Sequence, residues 1–115
     1  MNTVKLVIVN RRNELLLKDG GFPRGEVKQD EKFEDAVVRL AHEQLGYELR
    51  FFTVLHDAPT EDGYCTWYLA YKDSDGFVPI EQALRELGGE DHLVIEEWFA
   101  RPSEYGEPER EAAEA

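Results

Sequence analysis

Apolar residues fall along the chain in short groups separated by turn-forming stretches. Val4 to Asn10 is rich in Val, Leu and Ile but alternates poorly, and the turn-like Arg11-Arg12-Asn13 leads directly into Glu14 to Lys18. This pattern predicts a hairpin. Asp19-Gly20-Gly21 and then Pro23 and Gly25 break it, so residues 19 to 30 are expected to form a loop. From there Phe33, Val37, Ala41 and Leu45 recur at helical spacing, with Asp30 as the expected N-cap and Glu31, Glu34 and Asp35 where the helix dipole favours acids. Gly46 is placed to end that helix.

Further along, Leu49 to Leu55 and Tyr64 to Lys72 are rich in aromatic and β-branched residues and flank the turn-prone Ala58 to Gly63, which predicts two more strands. A short helix is expected from Ile80 to Leu87, stopped by Gly88-Gly89. The group Val94, Ile95, Trp98 and Phe99 predicts a final strand from His92 to Ala100. Strand pairs on either side of a helix, then a second helix and a last strand, describe an α+β chain with a mixed sheet flanked by helices.

With 115 residues there is room for one domain, residues 1–115, in which 102–115 forms an acidic C-terminal helix or tail. Hydrophobic residues make up 42% and aromatics 11%, an ordinary globular composition. The apolar runs are too short to span a bilayer and the N-terminus does not read as a signal peptide, so a cytoplasmic protein away from membranes is expected. The single Cys65 is read as a small buried residue. Formal net charge is -12, and -8 of it lies from Glu86 onward. Such a surface disfavours long nucleic acids while leaving a small phosphorylated ligand possible, and exposed strand edges leave room for a homodimer.

One stretch carries candidate chemistry. Gly25 is followed by Glu31 six residues on, by Arg39 eight further, and then by Ala41, Glu43, Gly46 and Tyr47. These seven positions fall in register with the signature of the Nudix hydrolases, which the segment resembles over 23 residues, on a loop followed by a helix. The alternative is an ordinary amphipathic helix with an Arg39 to Glu43 surface pair. The resemblance implies a Nudix fold, a mixed β-sheet sandwiched between helices in an α/β/α sandwich. It also implies a hydrolase that uses Mg2+ or Mn2+ to cleave the diphosphate linkage of a nucleoside diphosphate derivative: a nucleotide sugar, a dinucleoside polyphosphate or a nucleotide.

In the family three carboxylates on one helix face converge on the cation, since positions i, i+3 and i+4 are neighbours. Here those positions are Leu40, Glu43 and Gln44, which leaves one carboxylate. The resemblance implies Gly25, Glu43 and Gln44 at the metal, with the carbonyl of Gly25 or Arg24 as a further ligand. Arg24 and Arg39 are the candidate phosphate contacts. Glu43, His92 and Glu97 are the candidate catalytic residues, with His92 or Glu97 activating water, His92 because an imidazole titrates near neutrality. An exposed Arg24 and a merely hydrogen-bonded His92 remain the alternatives. Val27 to Leu45 is similar to the GDP-mannose mannosyl hydrolases, which share an Arg-Leu pair, and Phe22-Pro23-Arg24-Gly25 is similar to a motif of dinucleoside polyphosphate hydrolases. The lost carboxylates keep a second reading open: a catalytically impaired Nudix-fold module that binds nucleotides or a protein partner.

Overall fold

The computed structural model describes residues 1–100; the acidic segment 102–115 lies outside them. Strands β1 (Thr3–Val9), β2 (Arg24–Glu26), β3 (Phe52–Thr60) and β4 (Gly63–Tyr71) form one sheet in the order β2-β1-β4-β3. β1 runs parallel to β4 and antiparallel to β2, and β3 and β4 form an antiparallel hairpin, so the sheet is mixed. Helices α1 (Phe33–Leu45), α2 (Ile80–Glu86) and α3 (Gly89–Ala100) complete the fold.

The poor alternation of Val4 to Val9 has a physical cause. β1 is a central strand covered on both faces, and such strands read as continuous apolar runs. Val4, Leu6 and Ile8 pack with Val37, Leu40 and Ala41 of α1, whereas Val7 and Val9 pack with Trp67 of β4 and with residues of α2 and α3. Successive residues thus feed two cores on opposite faces, the α/β/α sandwich expected from the sequence.

Several boundaries differ from expectation. The final strand predicted from His92 to Ala100 is a helix. Val94, Ile95 and Trp98 are buried while Leu93, Glu96 and Glu97 are exposed, the i, i+1, i+4 spacing of a helix face. The chain enters it through Gly89 in the left-handed region (φ 56°), and Glu90 and Asp91 occupy the first turn. Residues 14 to 18 are not a regular strand, because Leu15 bridges Val9 on one side and exchanges two 2.8 Å hydrogen bonds with Val78 on the other. β3 begins and ends later than predicted. Its pairing with β4 continues to Thr60 and Gly63, so only Glu61 and Asp62 turn the chain, and Pro59 is tolerated on the sheet edge. No helix among the described residues is long and apolar enough to cross a membrane.

Candidate functional site

The loop before β2 is fixed at both ends. Asp19 and Gly20 adopt left-handed backbone (φ 54° and 78°) inside a turn closed by hydrogen bonds between Lys18 and Gly21. Phe22 is fully buried, and the Pro23 carbonyl accepts from the Leu6 amide at 2.8 Å. Arg24 therefore emerges at a defined point, next to a cavity of about 230 Å3 lined by Lys18, Asp19, Phe22, Pro23, Arg24 and Gln44. Two cationic side chains border it. Asp19 adds a carboxylate to the same lining.

α1 starts later than the sequence predicts. Its N-cap is Lys32 without a side-chain cap bond, and Asp30 stands in left-handed backbone (φ 65°). The reason is Glu31, which lies before the helix. Its carboxylate accepts from the Lys28 amide at 2.9 Å and takes both arms of the Arg39 guanidinium at 2.9 and 3.0 Å. Arg39 also donates to the Glu26 carbonyl (2.9 Å) and to Glu43 (3.1 Å), joining β2, the loop and the helix. The expected end of the helix is observed: Gly46 is left-handed (φ 70°), and the amides of Gly46 and Tyr47 close on His42 and Ala41.

The Arg39 fork holds the Glu31 carboxyl down at about 2, with the Lys28 amide as the next contribution. A carboxyl lowered by folding stabilises the native state above its ordinary value and loses that contribution as pH falls from about 4.5 to about 2. Thermal unfolding followed over that range should fall more steeply for the wild type than for Glu31→Gln. Parallel curves would show that the pair contributes nothing.

Two of the three family ligand positions have lost their carboxylate. Leu40 is 4% exposed and belongs to the core, and a Cβ on Gly25 would stand only 2.5 Å from its Cδ2. Glu43 keeps a half-exposed carboxylate, oriented by Arg39. Gln44 turns its amide onto β2, where Nε2 donates to the Arg24 carbonyl at 2.8 Å. The backbone carbonyl of Gln44 in turn accepts from Lys18 Nζ at 3.1 Å.

His92 and Glu97 sit on α3, which packs on the other face of the sheet from α1. His92 Nδ1 donates to the Leu84 carbonyl at 2.9 Å, and its Nε2 lies 3.4 Å from Glu96. The described contacts of His92 tie α2 to α3 and do not join it to Glu43. α3 instead meets the sheet through Asp91, whose Oδ1 receives Lys5 Nζ of β1 at 2.8 Å and Trp67 Nε1 of β4 at 2.9 Å. Lys5 also lies 5.2 Å from the centre of the Trp67 ring. Nothing in the sequence joins Lys5 to a residue 86 positions away, so this cluster was invisible there.

A family model described as NUDIX domain matches residues 1–114. The chain belongs to the Nudix family. Solved structures of similar fold include MutT of Aliivibrio salmonicida and Vibrio cholerae (TM-score 0.75, 20% identity, covering 87% of this chain and 96% of that one). MutT from Methanosarcina mazei Go1 gives a TM-score of 0.69 at 18% identity, covering 89% and 94%. The NUDIX domain of Shewanella oneidensis NrtR, complexed with ADP ribose, gives 0.67 at 19% identity, covering 88% and 87%. At these identities the likeness shows the fold. No curated protein sequence matches the chain.

Nudix membership implies a divalent cation, and the donor set can be tested against it. A resident cation held by the protein alone does not fit. Leu40 offers no donor, Gln44 presents an N–H to the neighbouring carbonyl, and among the described residues no group of three or more His, Cys, Asp and Glu could hold a metal ion. Of the three family positions only Glu43 carries a carboxylate.

Proposed function

We propose that this Nudix domain hydrolyses the diphosphate linkage of a nucleoside diphosphate derivative that arrives already complexed with Mg2+ or Mn2+. Magnesium characteristically uses one or two carboxylates together with the phosphates of its own nucleotide, and keeps several waters, so a complete protein cage is not required. The observation that carries this reading is the half-exposed Glu43 carboxylate, held by Arg39 in the last turn of α1. Glu43 would hold the cation of the substrate complex, which would neutralise charge on the diphosphate, while Lys18 and Arg24 beside the 230 Å3 cavity attract the diphosphate. Arg39 acts as an organiser, since its donors already serve Glu31, Glu43 and the Glu26 carbonyl. His92 holds α2 to α3. The reaction adds water across the P–O–P bridge and releases two phosphate-ended products.

The test offers nucleotide sugars, dinucleoside polyphosphates, ADP-ribose and nucleoside triphosphates with Mg2+, with Mn2+ and with chelator. ADP-ribose is included because a NUDIX domain of similar fold is complexed with it. Cation-dependent release of phosphate-ended products from one class is expected, and a panel left intact under every condition rules the reading out.

The Gln44 contact favours a second reading, a nucleotide-binding module without turnover. Calorimetry separates the two. A nucleotide bound equally well with magnesium or chelator, and recovered unchanged, supports the module.

A further inference from the structure

At the junction of β2, the loop before it and the end of α1, two backbone carbonyls are each met by an N–H donor from a side chain. The Arg24 carbonyl accepts from Gln44 Nε2, and the Gln44 carbonyl accepts from Lys18 Nζ. A carbonyl oxygen only accepts, so the Gln44 amide must present its NH2 group there. Beneath them Leu40 closes against Gly25, whose missing Cβ allows the strand to approach the helix. Free carbonyls at a helix C-terminus carry partial negative charge and attract cations. In this junction that demand is met by an ammonium and an amide.

We infer that Gln44 staples β2, and Lys18 the loop before it, to the end of α1 in place of a metal ion, so that the junction is assembled without a divalent cation, and that the identity of residue 44 decides whether it needs one. Gln44→Glu removes the N–H donor and sets a carboxylate against the Arg24 carbonyl. Two acceptors then face each other with no hydrogen between them, at the helix end where negative charge is disfavoured. A divalent cation relieves this by accepting both oxygens. Gln44→Ala removes the same donor without creating a ligand. The staple is a property of the folded chain alone and holds or fails whether or not the domain hydrolyses diphosphates.

The experiment is thermal unfolding of the ligand-free full chain in chelator and in millimolar Mn2+. The wild type should melt at the same temperature in both. Gln44→Ala should melt lower by about 4 °C, the scale of one hydrogen bond in a domain of this size, and equally so in both solutions. Gln44→Glu should melt lower than the wild type in chelator and recover several degrees in Mn2+. A Gln44→Glu protein folded only with Mn2+ supports the staple in its strongest form. The inference is overturned if Gln44→Ala is as stable as the wild type, if Mn2+ stabilises the wild type as much as Gln44→Glu, or if Gln44→Glu fails to fold in both solutions.

Discussion

Leu40→Glu, the change that returns a second carboxylate to the Nudix helix, is expected to destabilise the cation-free domain by about 3 kcal/mol or more at neutral pH. Leu40 is 4% exposed and packs with Val4, Val37 and Ala41, so an ionised side chain there loses its water without gaining a partner. The same contact can be dissected without charge. Leu40→Ala should cost roughly 2–5 kcal/mol through the cavity it leaves. Gly25→Ala should cost roughly 1–3 kcal/mol, because the added methyl stands 2.5 Å from Leu40 Cδ2. The double variant lets the new methyl occupy part of the vacated space. Its loss should therefore fall short of the sum of the single losses by more than about 0.5 kcal/mol in denaturant unfolding. Strict additivity would mean that Gly25 and Leu40 do not bear on each other.

Asp91→Ala should be a strongly damaging loss of a single charge among the described ion pairs. Lys5 and Trp67 both donate to the same carboxylate oxygen, and the Lys5 and Asp91 side chains are only 20% and 16% exposed. Removing the acceptor strands a half-buried ammonium and an indole N–H together. A fully buried pair broken in this way costs about 3–5 kcal/mol, and residual exposure reduces the expectation to about 2–4 kcal/mol. Asp91→Asn retains an acceptor oxygen and should lose less. Asp75→Ala is the control, since its pair with Arg12 has a 97% exposed carboxylate and should contribute little. Urea unfolding of the three variants checks the order. Equal losses for Asp91→Ala and Asp75→Ala would show that the cluster does not fasten α3 to the sheet.

The sequence made the Nudix helix legible because its constraints are local. Gly46 must end it in left-handed backbone, the spacing of Glu31 and Arg39 follows from one guanidinium joining a strand, a turn and a helix, and Gly25 is fixed by the close approach of Leu40. The mixed sheet flanked by helices was readable from the order of the predicted elements, whereas the two-faced packing of β1 was not. α3 was misread because Val94, Ile95 and Trp98 satisfy a short apolar run as readily as a helical stripe, and only packing against Trp67 and α2 decides between them. Leu40 and Gln44 were recognised as departures from the family's ligands. What they do instead was not readable, because an amide that serves a carbonyl and one that faces water are the same letter, and the partner is 20 residues away. The role of Asp91 depends on a contact across the whole chain and leaves no local pattern.

The most direct measurement compares turnover of the Mg2+-complexed substrate panel by the wild type and by Glu43→Gln. The Arg39 to Glu43 pair is exposed on the Glu43 side, so the substitution should leave folding nearly intact, and any loss of rate reports chemistry. Loss of about 100-fold or more in kcat/KM, with an unchanged melting temperature, is the expected result. A Glu43→Gln protein that hydrolyses the same substrate at the wild-type rate would contradict the assignment of the reaction to this carboxylate.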